Sequence, residues 1–122
     1  MLIRTASIVL SLSGVLSLIL GLLIWAGMAL NLLSMHMLLG FLSVGALWLI
    51  GVGQAFAEGG SWIIAAAALF IGALTLLFGL YQASLLVGDF HWVIQLTHLF
   101  LGVLTIGMGH MGAARSRKAA AE

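Results

Sequence analysis

Two histidines occupy equivalent positions in a pattern that the sequence contains twice. Residues 35–45 read MHMLLGFLSVG, and residues 97–107, which lie 62 positions later, read THLFLGVLTIG. The matched pairs are His36 with His98, Gly40 with Gly102, Ser43 with Thr105, and Gly45 with Gly107. Neutral imidazole is a ligand for haem iron and for other transition metals. A repeated histidine inside apolar sequence therefore predicts two imidazoles that face each other around a metal or a haem.

A second pair of segments repeats the same kind of small-residue pattern. Residues 13–23 read SGVLSLILGLL and align at an offset of 58 with residues 71–81, IGALTLLFGLY. The matched pairs here are Gly14 with Gly72, Ser17 with Thr75, and Gly21 with Gly79. We interpret the chain as a duplicated hairpin, with repeat 1 over about 6–57 and repeat 2 over about 61–112. The alternative is that two Leu- and Gly-rich sequences resemble each other by convergence.

The composition excludes a soluble domain. Of the 122 residues 64% are hydrophobic and 6% are charged, too few charges to cover a water-soluble surface. Four apolar runs of spanning length predict membrane helices over residues 6–30, 33–57, 61–85 and 90–111. We expect an all-α, integral membrane four-helix bundle over residues 1–112 and a cytoplasmic tail over 113–122. Each hairpin crosses twice, so a pseudo-twofold axis along the membrane normal would relate the two repeats.

The cations predict the orientation and the compartment. Arg4 precedes the first predicted helix, and Arg115, Arg117 and Lys118 follow the fourth. The positive-inside rule places both termini in the cytoplasm, and we expect the bacterial inner membrane. Apart from the tail there is no basic patch, so we expect no nucleic-acid partner. The absence of cysteine excludes disulfides and thiolate metal sites.

The repeated residues form stripes on the predicted helices, and two interpretations of these stripes remain open. At 100° per residue His36, Gly40 and Ser43 lie one above the next on one face. In the first interpretation the small residues let the helices pack tightly, and each histidine bonds a backbone carbonyl. In the second they clear a space for one haem b per chain, and His36 and His98 ligate its iron from opposite faces. The predicted cofactor-binding residues are His36, His98, Gly40, Gly102, Ser43, Thr105, Gly14, Gly21, Gly72, Gly79 and His91.

Two other histidines receive weaker assignments. His91 lies one heptad from His98 on the same stripe, where it would touch a haem propionate, relay protons, line a quinone pocket or simply face interfacial water. The other expected propionate partners are the N-termini of the second and fourth helices, together with Asn31, Trp92 and Gln95. His110 has no histidine counterpart in repeat 1 and is predicted to be interfacial.

The topology resembles that of small b-type membrane cytochromes of the bacterial cytochrome b561 type, and also one half of haem A synthase. The resemblance covers all four helices and is carried by His36, His98 and the glycine pattern. It implies haem b and electron exchange with a quinol. The chain lacks the further histidines of the cytochrome b561 type and the carboxylate and second bundle of the synthase, so the resemblance does not extend to a second haem or to synthase activity.

Several function classes follow from these observations. Iron with two histidine ligands has no open coordination position, which favours electron transfer with a quinol or a partner redox protein over catalysis at iron; whether the protein is an enzyme stays open. The alternative is a non-enzymatic accessory or assembly subunit of a membrane complex, with oligomer formation possible. A small transporter or a metal-binding membrane protein is less favoured, because the acids Glu58, Asp89 and Glu122 lie in turns or in the tail.

Overall fold

Four long helices joined by short turns make up the protein, and the computed structural model describes residues 1–119. The helices are α1 (Leu2–Trp25), α2 (Leu33–Ala55), α3 (Trp62–Tyr81) and α4 (His91–Ala119). Two 3-10 turns, Leu30–Leu32 and Gln82–Ser84, lie before α2 and after α3. The described residues contain no strand. All four helices are long and apolar enough to cross a membrane, so the prediction of an all-helical fold with four helices of membrane-spanning character is confirmed.

The helix ends differ from the predicted ends where local backbone chemistry decides them. Helix α1 begins at Leu2 and ends at Trp25, because Gly27 adopts a φ of +75°, which ends a helix. Helix α4 does not stop at residue 111 but continues to Ala119. Its added turns contain alanine, arginine and lysine, which are strong helix formers. Much of the predicted tail is therefore helical, and its residues 120–122 lie outside the described residues.

The helices pack as an up-and-down bundle in which one diagonal is closer than the other. Each helix contacts the next, and α4 closes the bundle against α1. Across the bundle α2 and α4 contact each other, whereas α1 and α3 do not. The two helices that carry His36 and His98 are thus the pair that meets across the bundle.

The bundle is closed at one end. We call this the basic end, because the start of α1, with Arg4, and the end of α4 lie there; the other is the distal end. The buried cluster includes Leu10, Leu47, Ile50 and Ala113 and fills the half of the bundle near the basic end. Many leucines, isoleucines and phenylalanines on the outer faces remain exposed, as lipid-facing residues are in a membrane bundle. Close packing is concentrated near the basic end, which leaves space in the distal half.

A buried amide fixes the turn between α2 and α3 at the basic end. Gln54 is fully buried, and its Nε2 donates to the carbonyl oxygens of Gly51 (3.0 Å) and Ser61 (2.8 Å). The Ser61 amide donates to its Oε1 at 3.2 Å. From α4, the Arg115 guanidinium donates to the Gly59 carbonyl oxygen at 3.0 and 3.2 Å. These bonds pair backbone groups of the turn and of the adjoining ends of helix α2 and helix α3, where a helix leaves some groups without intrahelical partners.

Candidate cofactor site

The structure brings the two histidines of the repeated pattern together. His36 on α2 and His98 on α4 have ring centroids 6.2 Å apart, and their ring planes make an angle of 77°. Both side chains are partly buried and line the same cavity. Their proximity follows from the α2–α4 contact across the bundle.

The protonation of His36 is determined by its hydrogen bond. Nδ1 of His36 lies 2.9 Å from the carbonyl oxygen of Ser17 on α1. A carbonyl oxygen only accepts, so Nδ1 must carry the proton and donate it. In the neutral ring Nε2 then holds a free lone pair, which is the form that binds a metal. A histidine that donates its other N–H to a backbone carbonyl is also the usual second-shell arrangement around a metal.

His98 is held differently. Its Nδ1 is buried and has no hydrogen-bond partner among the described residues. In the sequence alignment the counterpart of Ser17 is Thr75, whose hydroxyl bonds instead to Thr105 at 3.0 Å. The second imidazole therefore lacks a hydrogen bond equivalent to the one that fixes His36, although the backbone of Thr75 also lies beside its ring.

Each imidazole packs against a glycine of the partner helix in its own hairpin. A Cβ atom placed on Gly21 would lie 3.0 Å from Cε1 of His36, and one placed on Gly79 would lie 2.9 Å from Cε1 of His98. Both distances are shorter than an ordinary carbon–carbon contact of about 3.5–4.0 Å. The sequence interpretation assigned these glycines to the space for a planar ligand; in the structure they make room for the histidine rings themselves.

Pairs of buried hydroxyls lie below the histidines, towards the basic end. Ser13 and Ser43 join α1 to α2 with their Oγ atoms 2.9 Å apart. Thr75 and Thr105 join α3 to α4 at 3.0 Å, and both pairs are separated by 30 residues in sequence. Ser13, Ser43 and Thr75 also lie within hydrogen-bond distance of the carbonyl oxygen four residues earlier in their own helices. Each hairpin therefore contains one buried hydroxyl pair, although the aligned counterpart of Thr75 is Ser17 and not Ser13.

A cavity of about 310 Å³ occupies the distal half of the bundle around the two histidines. This volume is at the lower end of the range for small-molecule sites, about 300–1,000 Å³. Most of the predicted cofactor-binding residues line it: His36, His98, Gly40, Gly102, Ser43, Thr105, Gly14, Gly21 and Gly79. A Cβ on Gly40 would meet only the Ser17 hydroxyl, at 4.0 Å, so the space beside that glycine is open.

Two predicted residues lie outside the cavity. Gly72 is buried against α2, where an added Cβ would collide with Nε1 of Trp48 and lie 2.9 Å from Val44; it permits close helix packing. His91 starts α4, and its Nδ1 lies 3.1 Å from the carbonyl oxygen of Leu85. His110 is exposed near the basic end, with Nε2 3.3 Å from the Ser11 hydroxyl.

Four lining residues with hydroxyl or amide side chains were not among the eleven predicted cofactor-binding residues, namely Ser17, Thr75, Gln82 and Gln95; Gln95 was predicted only as a propionate partner. Ser17 was visible in the repeat, as the match of Thr75, yet its role comes from its backbone carbonyl, which no side-chain pattern reveals. Gln95 lies three residues before His98 and so shares its helix face, a relation that the sequence contains. Gln82 lies in a 3-10 turn and reaches the cavity only because of how that turn folds.

Comparison with protein-family models, characterised proteins and solved structures finds no match for this chain. The assignment of the site therefore depends on its geometry. Within residues 1–119 no cluster of three or more His, Cys, Asp or Glu side chains could hold a metal ion. The donor set at the site is two imidazoles, which suits a metal that brings its other ligands with it, as iron in a porphyrin does.

Proposed function

We propose that this protein binds one haem b between α2 and α4, with His36 and His98 as the axial ligands, and transfers electrons in the membrane. The observation that carries the proposal is the separation of the two imidazoles. A metal bound between two imidazole nitrogens at about 2 Å from each requires ring centroids about 6 Å apart. The observed separation of 6.2 Å fits this requirement.

The residues around the histidines support the same group. The Ser17 carbonyl holds the His36 ring so that Nε2 is available, and Gly21 and Gly79 give the rings room. Apolar side chains such as Phe41 and Leu99 line the remaining wall and exclude water, which tunes a redox potential. When bound, haem iron alternates between the ferrous and ferric states and so carries one electron.

The propionates need polar partners at the distal end. We assign them to the N-termini of α2 and α4, whose positive dipole ends lie there, and to Gln82 and Gln95, whose side chains line the cavity. Amide N–H groups donate to a carboxylate without adding a charge to the membrane. His91 is bonded to Leu85 and lies outside the cavity, so we do not assign it a direct contact.

The repeat and the orientation belong to the same proposal. The contacts of His36 with Gly21 and of His98 with Gly79, which join matched residues of the two hairpins, support a tandem duplication with a pseudo-twofold axis along the membrane normal. We propose that both termini are cytoplasmic, by the positive-inside rule. Because nearly all of the described chain is membrane helix, the electron partner is a quinol in the bilayer or a partner redox subunit.

An optical spectrum of the protein, purified in detergent from cells supplied with haem, tests this proposal. We expect a sharp Soret band and narrow α and β bands after dithionite reduction, typical of low-spin bis-histidine haem. His36→Ala and His98→Ala should each abolish haem binding or convert it to a high-spin form. His110→Ala is the matched control and should leave the spectrum unchanged. Equal haem content in the three variants would contradict the assignment.

A second function is favoured by one feature of the same geometry. The two rings lie at a distance and angle typical of an edge-to-face aromatic pair, and His36 already bonds a backbone carbonyl. These contacts also describe histidines that only pack, as in an accessory or assembly subunit of a membrane complex. Protein without absorbance above background, from cells that load a control cytochrome, would favour that function.

A further inference from the structure

A surface groove lies between α1 and α4 at the basic end, far from the histidine cavity. On α1 it is lined by Arg4, Ser7, Ile8 and Leu12, whose spacing of three and four residues places them on one helix face. Arg4 lies in the first turn of α1, and Ile8 and Leu12 follow one and two turns further into the bilayer. This wall of the groove is therefore charged at the membrane surface and aliphatic below it.

The α4 wall adds a second arginine. Ser116 and Arg117 line the groove in the last turns of α4, and both arginines are exposed. No acidic residue lines the groove, and α1 and α4 contain none along their whole lengths. Two guanidinium groups and the serine hydroxyls thus face a space that no carboxylate of these helices neutralises.

Arg115 also lies at the basic end, but its guanidinium is not part of the groove. It lies on the same turn of α4, but its guanidinium donates twice to the Gly59 carbonyl oxygen in the α2–α3 turn. It does not line the groove. One arginine is therefore used by the fold, while Arg4 and Arg117 are available to a ligand.

We propose that this groove binds an anionic phospholipid. Arg4 and Arg117 bind the phosphate, since the planar guanidinium matches phosphate oxygens in a bidentate geometry. Ser7 and Ser116 donate hydroxyl hydrogen bonds to the same headgroup, and an acyl chain lies along Ile8 and Leu12. Basic sites between helix ends at the membrane surface bind anionic lipids in this way. The proposal is independent of haem binding.

The test is lipid binding to the purified full-length protein in a neutral detergent, counted by native mass spectrometry. The probes are dioleoyl phosphatidylglycerol, dioleoyl phosphatidylcholine and soluble glycerol 3-phosphate. We expect one phosphatidylglycerol to bind in preference to phosphatidylcholine. Arg4→Gln and Arg117→Gln should each weaken that binding about fivefold, the contribution of one cation near a membrane surface. Arg115→Gln is the matched control and should leave the affinity unchanged.

Each of the following outcomes would overturn the proposal, because each contradicts something that the proposal requires. Equal weakening by Arg115→Gln means that a general positive field attracts the lipid. Equal binding of phosphatidylcholine excludes recognition of the negative headgroup. Equally tight binding of glycerol 3-phosphate means that the site takes a free phosphate ester and that the acyl chain contributes nothing. All of these variants are at exposed positions, and unchanged thermal unfolding shows that the fold is retained.

Discussion

Substitution of Gly79 by alanine tests whether His98 is a haem ligand and whether packing against this glycine positions its ring. The new Cβ would lie 2.9 Å from Cε1 of His98, so the ring must move by about 0.6–1 Å to reach an ordinary contact. Without haem the ring relieves this contact by rotating away. With haem the bond to iron would hold the ring in place, so the steric strain would lower the affinity for haem. Overpacking of this kind costs about 1–3 kcal/mol, which weakens affinity by about 5- to 150-fold.

The chain offers matched controls for this change. Gly45 and Gly107 belong to the same repeated pattern, and a Cβ on either meets nothing within 4 Å. Gly107→Ala therefore makes the same change of residue type in a helix without pressing on a histidine. The assay is haem titration of apoprotein from haem-deficient cells, followed at the Soret band, with thermal unfolding in parallel. Equal dissociation constants for Gly79→Ala and Gly107→Ala would refute the reasoning; Gly21→Ala repeats the test on the His36 side.

Three further predictions separate the fold from the site. Gln54→Leu removes the partners of the Ser61 amide and carbonyl and should lower the free energy of unfolding by about 2–4 kcal/mol; a loss below 1 kcal/mol in detergent-mediated unfolding would contradict it. Gly72→Ala presses on the indole packed against it and should cost about 1–3 kcal/mol of stability, yet haem titration should give the wild-type affinity because this glycine lies outside the cavity. Ser17→Ala should leave the reduced haem spectrum unchanged, since His36 donates to the backbone carbonyl at this position; a shift to a high-spin spectrum would show that the hydroxyl is required.

Some features of the protein follow from the sequence alone. The membrane location and the number of helices are determined by four long apolar runs with almost no charge, because the bilayer admits such segments only as helices. The spacing of His36, Gly40 and Ser43 places them on one face, because the period of an α-helix is the same wherever it forms. Nine of the eleven predicted cofactor-binding residues also line the cavity.

Other features depend on how the helices pack, which periodicity does not encode. The repeated pattern predicted that His36 and His98 face each other, but helical periodicity does not show that α2 and α4, rather than α1 and α3, are the pair that meets across the bundle. The carbonyl that fixes the proton on Nδ1 of His36 belongs to the backbone of Ser17. Because every residue type has a backbone carbonyl, the residue type does not predict this contact. Gly72 and Gly79 share a helix and a pattern, yet one contacts a tryptophan and the other a histidine. Local sequence places side chains on a helix face, and only tertiary packing decides what each face meets.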